Sequence, residues 1–281
     1  MNEFPTPIIT AEQLFKQLSH PNLVVLDASY YMPAMQRDGF QEWQARRIGH
    51  AQHFDFDNII CEQGADYPHT MPSPAQFEQD VQALGINNDS LIVVYDGAGM
   101  FASPRAWWMF RAMGHENVAV LDGGLPAWET AGLPLQTSSI EPAIPGNFTA
   151  HYQPDRFSDT DAVLMALQDD QTQLLDARSI GRFKGVEAEP RAGLRSGHMP
   201  SAKSLPFTDL LDNGFLKPTE VLKAQLASVA EPNQQLIFSC GSGVTACHLA
   251  LAAELAGYKK LSVYDGSWCE WGARIELPIE V

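Results

Sequence analysis

The first half of this chain and the second half repeat the same order of apolar runs and small-residue turns. Leu23–Asp27 runs into Ala28-Ser29, and Gln173–Asp176 runs into Ala177-Arg178. Gly49-His50 returns as Gly197-His198. The run Leu91–Tyr95 ends at Asp96-Gly97, whereas Gln235–Ser239 ends at Cys240-Gly241. Val120-Leu121-Asp122-Gly123-Gly124 leads to Trp128, and Val263-Tyr264-Asp265-Gly266-Ser267 leads to Trp271. The offset is close to half the chain, far longer than a solenoid period. Short apolar runs alternate with helical patterns, predicted over Ala11–Leu18 after the cap Thr10, Phe40–Arg46, Pro72–Leu84 and Pro104–Met113. That alternation predicts an α/β fold, a duplicated domain whose copies each have a mainly parallel sheet flanked by helices. The stretch from Gln136 to Asp155 is rich in Ser, Pro and Gly and lacks sustained periodicity. The expected division is therefore a domain over 1–138, a linker over 139–157 and a domain over 158–281.

Composition narrows the function. A formal net charge of −16 argues against a nucleic-acid partner and against docking on anionic membranes. No apolar run has the length of a membrane span, and Met1-Asn2-Glu3-Phe4-Pro5 has no leader-like character. Cys61, Cys240, Cys247 and Cys269 form no C-x-x-C pair, and no His/Cys cluster has zinc spacing. Free thiols, a cytoplasmic setting, no metal and no cofactor are the expectations.

The duplication has one telling asymmetry: where the second copy has Cys240, the first has Asp96. Only one copy can carry thiol chemistry. Cys240 ends an apolar strand pattern and is followed by Gly241-Ser242-Gly243-Val244-Thr245-Ala246 and then a helical pattern. Amides converging in such a turn, with the helix dipole behind them, stabilise a sulfur anion. Glycines on both sides of Ser242 suit close backbone approach to a ligand.

The loop Cys240–Ala246, together with Gly197-His198-Met199-Pro200-Ser201-Ala202, Tyr264–Trp271 and Ser103–Met109, resembles the tandem-domain rhodanese sulfurtransferases over nearly the whole chain. The neutral pair Gly241-Ser242 is similar to the branch that uses 3-mercaptopyruvate, since thiosulfate-using members usually carry basic residues there. The sequence departs from the family in three places. Gly49-His50 passes straight to Ala51, Ser201 replaces a usual glycine, and Thr70 separates His69 from Met71-Pro72.

The resemblance implies two tandem rhodanese-like domains, the second of them catalytic. It implies that Cys240 takes sulfur from 3-mercaptopyruvate as a persulfide and passes it to a small thiol, thioredoxin or cyanide, releasing pyruvate. Gly241, Gly243, Val244 and Thr245 would supply amides to the sulfur anion. Arg182 and Arg191 would hold the donor's carboxylate and carbonyl oxygen, as a guanidinium fork suits. Ser242, His69 and Asp57 would form a proton relay. Trp107, Trp108, Trp128, Trp268 and Trp271 are expected in cores, His50 and His198 as turn stabilisers, and Asp27 and Asp176 as caps of loops beside the sheet. Cys247 is expected to be buried; Cys61 and Cys269 receive no role.

Three rival functions fit the residues less well. Thiosulfate is a compact dianion and should prefer a cationic loop. A cysteine phosphatase needs a longer loop closed by an arginine, but Ala246 and Cys247 stand there. A non-catalytic module would be expected to lack the thiol in both copies.

Overall fold

Residues 4–139 and 142–281 are described in a computed structural model. Residues 1–3, part of the N-terminal stretch read for a leader, and 140–141, inside the expected linker, lie outside the described residues. The chain forms two compact units. The first holds the described residues through Gln63 together with those of 71–153; the second holds Gly64–Thr70 and Pro154–Val281. A short piece of the first half of the sequence thus belongs to the second unit.

The strands of the first unit are β1 (Ile8–Ile9), β2 (Leu23–Asp27), β3 (Arg47–Ile48), β4 (Gln52–His53), β5 (Leu91–Tyr95), β6 (Val118–Leu121) and β7 (Leu135–Gln136). Its helices are α1 (Ala11–Gln17), α2 (Gly39–Ala45), α3 (Pro74–Ala83), α4 (Ser103–Ala112) and α5 (Gly124–Thr130). The sheet runs β1-β6-β5-β2-β4, every neighbouring pair parallel. Alternation of side chains along a strand gives each face its own core. Leu91, Val93 and Tyr95 of β5 join Leu14 of α1 and Leu125 and Trp128 of α5 in one cluster. Ile92 and Val94 point to the opposite face and are fully buried. The helix boundaries fall at local caps. Thr10 and Gln13 form a reciprocal capping box on α1, and the Ser73 hydroxyl accepts from Gln76 N–H at the start of α3. Proline at the first helical position then starts α3 at Pro74, two residues after the expected Pro72.

Of the stretch expected to be a linker, residues 146–153 lie along the first unit. Gly146, Phe148, His151 and Gln153 donate their N–H groups to Gln82, Ile86, Met113 and Ala112. Phe148 is buried in contact with Phe77 and Phe110. Backbone pairing and one buried aromatic turn a composition that reads as a tether into a strap.

In the second unit the strands are β8 (Phe157–Ser158), β9 (Thr172–Asp176), β10 (Lys203–Ser204), β11 (Leu211–Asp212), β12 (Phe215–Leu216), β13 (Gln235–Ser239) and β14 (Leu261–Tyr264). The helices are α6 (Thr160–Ala166), α7 (Ile180–Phe183), α8 (Thr219–Ala227), α9 (Ala246–Ala256) and α10 (Ser267–Trp271). The sheet order β10-β9-β13-β14-β8 is again all parallel and matches β4-β2-β5-β6-β1 strand for strand. Matched tryptophans confirm the repeat. Trp128 donates Nε1–H to Pro134 O at 3.0 Å, and Trp271 donates to Pro278 O at 2.8 Å. All five tryptophans expected in cores are fully buried. Ser201, standing where a glycine is usual, takes a left-handed φ of 60°.

Candidate active site

Cys240 follows β13, the central strand of the second sheet, and is buried. Gly241–Thr245 forms the loop into α9, with Gly243 at φ 75°, a conformation that favours glycine. The loop is stitched to the start of α10. Trp268 and Cys269 donate their N–H groups to Cys240 O at 3.0 Å and Gly241 O at 2.9 Å. The Ser267 hydroxyl accepts from Cys240 N–H at 3.2 Å and Gly243 N–H at 3.1 Å, and donates to Tyr264 O at 2.8 Å. Ser267 holds this place at φ 49°, an uncommon conformation for a residue with a side chain.

Both expected arginines reach this loop. A Cβ on Gly241 would lie 3.1 Å from Arg182 Nη2 and 3.9 Å from Arg191 Nη1. Arg182 is not the surface arginine that its exposed neighbours suggest. Its Nε donates to Glu189 at 3.1 and 3.2 Å, and its Nη2 also pairs with Glu189, whose side chain is 2% exposed. The same carboxylate accepts from Arg178 at 2.7 Å. Arg178 is fully buried, donates to both oxygens of Asp176, and stacks over Trp268 at 4.1 Å. Burial works against the charge of Arg178, but Asp176 and Glu189 outweigh it and raise its pKa. Two cations and two carboxylates thus balance in this network. Arg191 has no carboxylate at ion-pair distance among the described residues.

His69 reaches the loop on the segment Gly64–Thr70 and is buried at φ 64°. Its Nδ1 lies 3.0 Å from Ser242 Oγ and 3.3 Å from Ser242 O. A carbonyl only accepts, so a proton on Nδ1 satisfies both contacts and leaves the Ser242 hydroxyl hydrogen for another acceptor. Asp57 belongs to the first unit, where its N–H donates to Asp55 Oδ1 at 3.1 Å. Cys247 is buried in α9 with its thiol donating to Gly243 O at 3.2 Å. His198, expected to stabilise a turn, bonds Phe183 O at 2.9 Å through Nδ1 and stacks on the Phe183 ring. Among the described residues, no group of three or more His, Cys, Asp or Glu side chains could hold a metal ion.

The first unit shows what the equivalent place looks like when it is closed. Asp96 Oδ2 accepts from Ala102 N–H at 2.9 Å and from Ser103 N–H and Oγ–H at 2.8 Å. Its Oδ1 accepts from Ala98 N–H at 2.9 Å. A carboxylate thus occupies the anion nest from within. Above Gly97, the counterpart of Gly241, sit Tyr31, Arg37 and Glu42. Tyr31 donates to Glu42 at 2.7 Å, and Arg37 pairs with Glu42 and donates to Gly97 O at 3.2 Å. Glycine faces two guanidinium groups in one copy and a self-satisfied cluster in the other.

Sequence reasoning gave no role to Arg178 or Ser267, and saw Glu189 only as one of two acids, with Glu187, that could pair with a surface arginine. The available signals were the alternation Glu187-Ala188-Glu189 between the two arginines and the exchange of Gly124 for Ser267 between the copies.

Comparison with known proteins agrees with this architecture. The family model for the rhodanese-like domain matches residues 10–131 and again 159–274. The 3-mercaptopyruvate sulfurtransferase of Rattus norvegicus is 37% identical over 96% of this chain and 93% of its own length. That of Escherichia coli K12 is 36% identical over 98% of each chain. The thiosulfate sulfurtransferase of Cricetulus griseus is 42% identical over 89% of this chain and 85% of its own. The crystal structure of SseA from Escherichia coli superposes with a TM-score of 0.84 at 33% identity, covering 94% of this chain and 99% of that one. The chain belongs to the rhodanese family, with two tandem copies of its domain.

Proposed function

We infer that this chain is a 3-mercaptopyruvate sulfurtransferase whose catalytic group is Cys240. The observation that carries this reading is the convergence of Arg182 and Arg191 over Gly241, one residue from the buried thiol. An α-keto acid presents a carboxylate and a carbonyl oxygen, and two guanidinium groups match that pair. The uncompensated Arg191 takes the carboxylate. Arg182, held by Glu189, faces the carbonyl oxygen.

Cys240 Sγ attacks the donor sulfur, and the carbon–sulfur bond breaks with its electrons passing into the enolate of pyruvate. Arg182 stabilises charge on the enolate oxygen. The Ser242 hydroxyl, oriented by His69, donates toward the substrate while the methylene carbon gains its proton. Sulfane sulfur remains as the Cys240 persulfide, held by the loop amides, and passes to a small thiol, a thioredoxin-like dithiol or cyanide. The four cysteines are all buried and free, which supports work in a reducing compartment such as the cytoplasm. No helix among the described residues is long and apolar enough to cross a membrane.

Two measurements test the reading. Cys240→Ser should abolish pyruvate release from 3-mercaptopyruvate, and retained turnover would remove Cys240 from the mechanism. The kcat/KM for 3-mercaptopyruvate should exceed that for thiosulfate. The opposite order would favour the activity named for the Cricetulus griseus relative.

A further inference from the structure

The second unit holds another thiol beside the Cys240 loop. Cys269 lies in the first turn of α10, with its N–H bound to Gly241 O and the preceding N–H bound to Cys240 O. Ser267 ties the same turn to Cys240 and Gly243. Trp268 is thus the bonded neighbour of Cys240, and Cys269 stands one residue further along the same turn. Burial pushes the Cys269 thiol up, Arg191 pulls it down, and Cys240 and Glu189 raise it as like charges do. Arg182 lowers it in turn, so the charges acting on this thiol belong to the residues around the Cys240 loop. The other thiols are engaged elsewhere: Cys247 donates to Gly243 O and Cys61 to Asp57 O.

We propose that Cys269 is a resolving thiol that attacks the Cys240 persulfide and expels its outer sulfur as sulfide. This rests on the reading of Cys240 as the persulfide carrier. A bond forms between the two Sγ atoms, and the bond from Cys240 Sγ to the outer sulfur breaks. The Cys269 proton leaves with that sulfur as HS⁻. The outer sulfur is reduced to sulfide and the Cys269 sulfur is oxidised, while the Cys240 sulfur keeps the disulfide level it already had in the persulfide. As the Cys269 proton passes to the outer sulfur, the thiolate it leaves behind is the nucleophile. A small or protein dithiol then reduces the disulfide, becoming a disulfide itself, and restores both thiols. When no dithiol is present, the chain stops after one sulfide.

The test is a single turnover of the whole chain with 3-mercaptopyruvate and no reductant, reading sulfide released per pyruvate formed. The native chain should approach one sulfide per pyruvate and yield a linked Cys240–Cys269 peptide under non-reducing conditions. In Cys269→Ser the ratio should fall at least about tenfold while the persulfide accumulates on Cys240. An unchanged ratio in the variant, or a native chain that keeps its persulfide, overturns the proposal. Loading the desalted chain with inorganic polysulfide separates the two readings. A linked peptide that forms there, with no pyruvate from 3-mercaptopyruvate, defeats the donor reading alone; a missing linked peptide defeats the resolving thiol.

Discussion

His69 Nδ1 and Ser242 Oγ lie 3.0 Å apart although the residues are 173 positions apart in sequence. Both side chains are buried, so the contact is shielded from competing water. If they act as one unit on the substrate, removing either removes the effect of both. We expect His69→Gln and Ser242→Ala each to lower kcat for 3-mercaptopyruvate by about ten- to a hundredfold. The double variant should be no slower than the slower single one. Multiplicative losses in a double-mutant cycle would show that the two act separately.

Glu189 is shared by Arg178 and Arg182, and it offers a test of how the donor arginine is held. Glu189→Gln leaves a fully buried guanidinium with only Asp176 opposite it. Removing one partner of such a group costs about 3–5 kcal/mol, visible as a lower urea midpoint. It also frees Arg182 to turn from its present direction, so KM for 3-mercaptopyruvate should rise. Unaltered stability would mean that water replaces the carboxylate.

Asp27 is buried with no cation paired to it among the described residues, unlike its counterpart Asp176 with Arg178. Burial first, and then the neighbouring Asp96, raise its pKa from 3.8 to about 6, against hydrogen bonds from Ser29 and Tyr95 that lower it. The folded chain therefore binds this proton more tightly than the unfolded one. Its contribution is fully present below pH 3.8 and is lost as the pH rises through about 6. The loss is on the order of 3 kcal/mol above that range. Asp27→Asn should flatten this slope, gaining stability over the native chain at about pH 8 and none at about pH 4. Parallel urea curves at the two pH values check it, and a gap that does not change with pH would count against it.

Placing a thiol at position 96 should not create a second sulfur carrier. Asp96→Cys gives up the carboxylate that accepts from Ala98, Ala102 and Ser103, at a cost of about 3 kcal/mol. Tyr31, Arg37 and Glu42 still cover Gly97. With Cys269→Ser added so that the persulfide is retained, mass spectrometry after one turnover should find persulfide on Cys240 and none on the introduced thiol.

The strand order and the singular thiol were legible because a repeated pattern fixes both the sheet and the position where its copies differ. Cys240 stood out against Asp96 on that basis, and Arg182 and Arg191 came from the resemblance. What the sequence hid depends on distance in space. Glu189 reads as one of two solvated acids until Arg178 folds beneath it. Residues 146–153 read as a tether because backbone hydrogen bonds to Gln82, Ile86 and Met113 leave no trace in composition. Segment ownership was equally invisible: nothing in the residues Gly64–Thr70 says that they pack with the second half.

That ownership means the two copies cannot be treated as separable goods. A fragment beginning at Pro154 would carry the thiol, both arginines and Glu189, yet would leave His69 behind on the other piece. Division at the apparent seam, whether by a protease, a designer of minimal enzymes or gene fission, would part Ser242 from its imidazole. The half with Asp96 in place of the thiol would still be needed, through the few residues it lends.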